Sequence, residues 1–147
     1  MKIIITILTM LITLSVSSQK DRVDIFKVNT QFARTAYGGS NGSDLVNTYE
    51  PTDMYLALRY RHGDNNDLME LQIIHSSLNK TEQYYVESSP KQTLDGTYLI
   101  INTSDKKKYN LRLNLNDLGK PNYVQLSTKW GAKTYQYDLD YHRTIYK

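Results

Sequence analysis

Residues 53–76, DMYLALRYRHGDNNDLMELQIIHS, leave little freedom in what they can form. Met54, Leu56, Leu58 and Tyr60 alternate with Tyr55, Ala57 and Arg59. After the polar break His62-Gly63-Asp64-Asn65-Asn66-Asp67, Met69, Leu71 and Ile73 alternate with Glu70, Gln72 and Ile74. Successive strand side chains point to opposite faces, so period two on both sides of a turn-rich link predicts a β-hairpin.

The same pattern recurs down the chain. YNLRLNLN at 109–116 places Tyr109, Leu111, Leu113 and Leu115 on one face and Asn110, Arg112, Asn114 and Asn116 on the other. A helix would scatter those leucines around its surface. On that reading Leu113→Ala costs about 2–5 kcal/mol and Asn114→Ala stays within roughly 0.5 kcal/mol. Three hairpins are expected: 53–61 with 68–76, 97–102 with 108–115, and 122–128 with 133–141. Residues 20–35 supply apolar Val23, Ile25, Val28 and Phe32, with an alternation that slips near Lys27. That predicts a bulged strand or two short ones. Residues 43–49 read as a helical turn capped by Ser43 or Asp44 and stopped by Pro51. No crossover helix of a dozen residues is available, which argues against a parallel sheet. The expected fold is all-β: a small antiparallel β-sandwich or an up-and-down β-barrel of seven or eight strands.

The chain has 147 residues, and its beginning reads differently from the rest. Met1-Lys2 is positive, residues 3–14 are apolar but for small threonines, and Ser15-Val16-Ser17-Ser18-Gln19 offers small residues for cleavage. This is the pattern of a secretory signal peptide, and the apolar run is shorter than the about 20 residues a membrane span needs. The expectation is a signal peptide at 1–18, cleavage after Ser18, and one secreted or periplasmic β-rich domain at 19–147 with no stable membrane insertion. There is no cysteine, so disulfides, thiolate metal sites and cysteine nucleophiles are excluded. Removing Lys2 with the leader takes the formal charge from +3 to about +2, too mild for a nucleic-acid partner.

Candidate chemistry is sparse. The 62–67 turn carries calcium-type oxygen ligands, but Asp, Asn and Gly are also what turns are made of, and the helix-loop-helix calcium spacing is missing. His62 and His75 lie on the two arms of one hairpin and would have to approach each other to begin a zinc site. No catalytic constellation is evident: His75 has no serine elbow, Glu82 has no visible partner, and Asp138 and Asp140 share what reads as a solvated face. Neither a cofactor nor a metal is expected. Asn41, Asn79 and Asn102 each begin a glycan acceptor triplet in an expected turn.

The compositional bias is aromatic: thirteen tyrosines against two phenylalanines. Tyrosine favours strands, and its rigid ring with a polar tip suits a binding face. Trp130, Tyr135 and Tyr137 on one hairpin, and Tyr84 and Tyr85, are the candidate binding residues. The function expected is an exported, non-catalytic binding module for a protein partner, of the inhibitor or immunity-factor kind. The alternatives are a lipocalin-like carrier of a small apolar ligand and a hydrolase whose site the sequence does not show.

Overall fold

The computed structural model describes residues 20–35, 45–62, 67–93, 96–128 and 132–147. The leader, the 36–44 link, residues 63–66 of the polar turn and Trp130 lie outside them. Nine strands follow one another: β1 (Arg22–Thr35), β2 (Leu45–Tyr49), β3 (Met54–Tyr60), β4 (Leu68–His75), β5 (Lys80–Ser88), β6 (Tyr98–Asn102), β7 (Lys108–Leu115), β8 (Pro121–Thr128) and β9 (Lys133–Tyr146). They pair in the order β2-β1-β3-β4-β5-β6-β7-β8-β9, and β9 pairs back onto β1. The result is an all-antiparallel, eight-stranded up-and-down barrel with β2 as an extra strand, and without a helix among the described residues.

Closure settles the choice between sandwich and barrel. The β1–β9 ladder runs from Arg22↔Tyr146 to Thr35↔Lys133. It continues as a pair of hydrogen bonds between Asp21 and Lys147, N–H to carbonyl in both directions, at 2.8 and 3.0 Å. A closed ladder leaves the barrel strands no open edge.

The alternation in the sequence becomes inside against outside. Cross-strand partners share a face, so Leu58↔Leu71 and Leu71↔Tyr84 form one inward row. Phe26, Leu56, Leu58, Leu71, Ile73, Ile100, Leu111, Val124 and Leu126 fill the interior and are fully buried or within 1% of it. The outer face carries Arg59, Glu70, Gln72, Gln125, Gln136 and Asp138, joined in part by side-chain hydrogen bonds. Apolar inside and polar outside is the inverse of a lipid-facing barrel. Among the described residues no helix is long and apolar enough to cross a membrane.

Two bulges set the faces of the seam. Against β9, β1 shifts register between Val28 and Thr30, and β9 shifts where Ile25/Phe26 meet Arg143/Tyr141. Asp24, Phe26 and Val28 therefore point inward, whereas beyond the bulge Gln31 and Ala33 do, opposite Tyr137 and Tyr135. The slip expected near Lys27 is this bulge within a single strand of 14 residues.

Of the helical turn expected at 43–49, residues 45–49 are instead strand β2, and the expected caps Ser43 and Asp44 lie outside the described residues. Its backbone pairs with β1 from Gln31↔Tyr49 to Thr35↔Leu45. A short cap-and-turn signal yields to a ladder that a long neighbouring strand offers. On β7, Leu111 is fully buried, but Leu113 is only partly buried against the core and Leu115 is 54% exposed. These inward positions run out of the barrel's lower end. Leu113→Ala should accordingly cost about 1–2 kcal/mol rather than a full core penalty. The exposed Asn114→Ala should stay within about 0.5 kcal/mol, both read by chemical denaturation.

Candidate functional site

An up-and-down barrel has two ends. The upper end gathers the beginnings of β3, β5, β7 and β9 and the ends of β1, β4, β6 and β8. The lower end gathers the opposite termini.

The upper end is where the tyrosines meet. Tyr84 and Tyr137 are each 5% exposed and belong to the core, and Tyr109 and Tyr135 pack partly buried against it. The Tyr84 and Tyr109 rings meet edge to face at 5.7 Å. Glu82 points into this cluster, because Ile73↔Glu82 is an inward pair on the β4–β5 ladder. His75 Nε2 lies 3.2 Å from Glu82 Oε2. Burial is the main reason the Tyr84 hydroxyl is pushed up to about 12, and Glu82 is the next. Tyr137 is raised further, again by burial first and Glu82 second. Tyr109 is raised by burial and then by Asp105. Asp105 is fixed by the turn after β6, where the buried Asn102 accepts the Ser104 and Asp105 amide N–H groups at 2.9 and 3.2 Å.

The sequence-derived candidates therefore divide. Tyr84, Tyr135 and Tyr137 share the interior face near this end, whereas Tyr85 is 42% exposed on the outside of β5. Trp130 lies outside the described residues. Glu82 does have a partner, His75, seven residues away across the turn at 76–79. His62 and His75 do not approach each other, since the hairpin sends them to opposite ends of the barrel. His142 lies beside the Tyr55 ring at 5.8 Å. Among the described residues no group of three His, Cys, Asp or Glu side chains could hold a metal ion. Asn102 is buried, and its Oδ1 is engaged by its own turn. Among the described residues, buried side chains pack together in the barrel interior.

The feature sequence reasoning missed is β2. Its partner is β1, along one edge. The turn at 76–79, which could have covered the other edge, reaches only to Asp53: Ser76 N–H donates to the Asp53 carbonyl at 3.1 Å and Ser77 N–H to its carboxylate. Among the described residues no strand pairs with the second edge of β2. Residues 46–49 are all exposed, Val46 at 58% and Tyr49 at 59%. Tyr49 pairs with Gln31, which pairs with Tyr137, so Tyr49 extends the inward tyrosine face onto β2, which continues the line of β3 along the same edge of β1. A β-branched run, Val46 and Thr48, just before Pro51 was the available signal.

Comparison of the chain with protein-family models, with curated proteins and with solved structures finds no match in any of the three.

Proposed function

We propose that this protein is an exported, non-catalytic binding module that recognises a protein partner at the upper end of its barrel. The observation that carries the reading is β2: a strand with an unpaired edge among the described residues and exposed apolar side chains, beside a barrel whose other strands are paired on both sides. Closed barrels eliminate open edges, and an added strand with one is a template for an extended segment of another protein. Main-chain hydrogen bonds along the edge would supply affinity. Val46 on one face and Tyr49 on the other would supply selectivity, with the inward tyrosines behind Tyr49 holding it in place. The leader pattern at 1–18 supports a secreted or periplasmic setting.

The test is recovery of partners from the native envelope or medium by the mature protein and by Val46→Lys and Tyr49→Lys, read by mass spectrometry and then by affinity. A lysine on an edge strand blocks strand addition without entering the core. Both variants should melt as the wild type does and lose at least tenfold in affinity for the recovered protein, or about 1.4 kcal/mol. Unchanged binding by both would remove β2 from the interface and this reading with it.

A further inference from the structure

The lower end of the barrel carries a second, differently built feature. A groove of about 430 Å³ opens there, lined by Arg22, Asp24, Leu118, Lys120, Tyr141, Thr144 and Tyr146 among others. Its floor is a fixed polar chain. Thr144 Oγ1 donates to the Asp24 carboxylate at 2.6 Å, and the Tyr141 hydroxyl lies 2.8 Å from Thr144 Oγ1. Thr144 has one proton and gives it to Asp24, so the Tyr141 hydroxyl is the donor in the second bond. Arg22 Nε lies 3.4 Å from the other Asp24 oxygen, and the Asp24 side chain is only 5% exposed. The Asp24 charge is thus answered inside the protein and withheld from anything entering the groove.

Lys120 is placed differently. Its ammonium sits 3.9 Å from the centre of the Tyr141 ring, and among the described residues no carboxylate pairs with it. Arg22, itself stacked over Tyr60 at 4.5 Å, keeps about a third of its side chain exposed. With Arg22 paired to Asp24, Lys120 is the positive charge that the groove presents. Its flanks are apolar: Leu118 is 85% exposed and Tyr146 64%. Leu118 is also held rigidly. Asn116 Oδ1 accepts the Leu118 and Lys120 amides at 2.9 and 3.0 Å, and Gly119 turns the chain at φ +75°, a conformation that strains other residues. An exposed leucine on a stiff turn beside a cation is preorganised for a ligand with both characters.

We propose that this groove binds a small carboxylate carried on an apolar body, with Lys120 receiving the carboxylate and Leu118 and Tyr146 covering the apolar part. The site is separate from β2 and does not depend on it. The experiment is an amide-resolved NMR titration of the folded mature protein with octanoate, octylamine and acetate, and with N-acetyl-leucyl-leucine as a peptide carboxylate. Octanoate or the dipeptide should give saturable shifts centred on residues 118–120, 141 and 144, at least tenfold tighter than octylamine or acetate. Octanoate ahead of the dipeptide assigns the groove to alkyl carboxylates, and the reverse order assigns it to peptide carboxy termini. Lys120→Gln should weaken binding about tenfold, Lys120→Arg should retain it, and Leu118→Asp should abolish it, all with an unchanged fold. Equal binding of octylamine, shifts centred elsewhere, or full affinity in Lys120→Gln would overturn the proposal.

Discussion

Raised from pH 10 to pH 12, the protein should unfold over a narrow interval. Three tyrosines drive this. Tyr60 and Tyr84 are each pushed up to about 12 from the ordinary value of 10.0, and Tyr137 is raised further. Burial is the first cause in every case. The second is a carboxylate, Asp24 for Tyr60 and Glu82 for the other two. In the unfolded chain these phenols lose their protons near 10, whereas in the folded barrel they keep them. Above pH 10 the unfolded state therefore binds fewer protons, and stability falls as pH rises. Below 10 both states are protonated and the three groups leave stability independent of pH. Each held proton contributes a slope of about 1.4 kcal/mol per pH unit, so three together approach about 4 kcal/mol per unit. Over two units that removes about 7 kcal/mol, which unfolds a domain in the lower half of the usual range of about 5–15 kcal/mol. Circular dichroism followed alongside phenolate absorbance tests it. Tyr60→Phe and Tyr84→Phe should each flatten the slope by about a third and move the midpoint upward. Complete tyrosine ionisation by pH 11 with the barrel intact would show that these hydroxyls are not enclosed.

The phenols that set this limit illustrate what could be read in advance. Strand alternation at 53–76 and 109–116 is a local property, written in consecutive residues, and the hairpins follow from it. What lay beyond reach depends on residues distant in sequence. Thr144 meets Asp24 across 120 positions, and only the β1–β9 closure brings them together. Closure is also why an acidic residue such as Asp24 is 3% exposed in a strand whose apolar neighbours Val23 and Ile25 looked like its core face. At the candidate site, alternation separates Tyr84 from Tyr85 and groups Tyr135 with Tyr137, but it does not say which face is inward. Tyr84 and Tyr85 are adjacent and face opposite ways. The role of β2 was hidden for a further reason. Its edge is defined by where the β4–β5 turn stops, at Asp53, and nothing within 45–49 records that.

Truncating Phe26 should be among the most damaging single changes in the barrel, and truncating Phe32 should be nearly harmless. The two are the chain's only phenylalanines, and they lie six residues apart on one strand. Unbroken alternation would put them on the same face. The bulge between Val28 and Thr30 separates them. Phe26 is fully buried, opposite Leu56 on β3 and Tyr141 on β9, and its ring meets that of Tyr141 nearly edge-on at 5.9 Å. Phe32 is only partly buried and pairs with Thr48 and Gln136, in the outward row. Phe26→Ala removes a ring from the seam that closes the barrel, where surrounding strands cannot collapse without breaking the ladder. It should cost about 3–5 kcal/mol, which in a domain of this size lowers Tm by roughly 10–20 °C. Phe32→Ala gives up partial burial on the outer wall and should cost about 1 kcal/mol. Thermal and denaturant unfolding of the two variants compares identical chemistry on either side of one inserted residue. Equal losses would mean that the bulge does not turn the strand, and the inward placement of Gln31 and Ala33 beside the tyrosine face would fall with it.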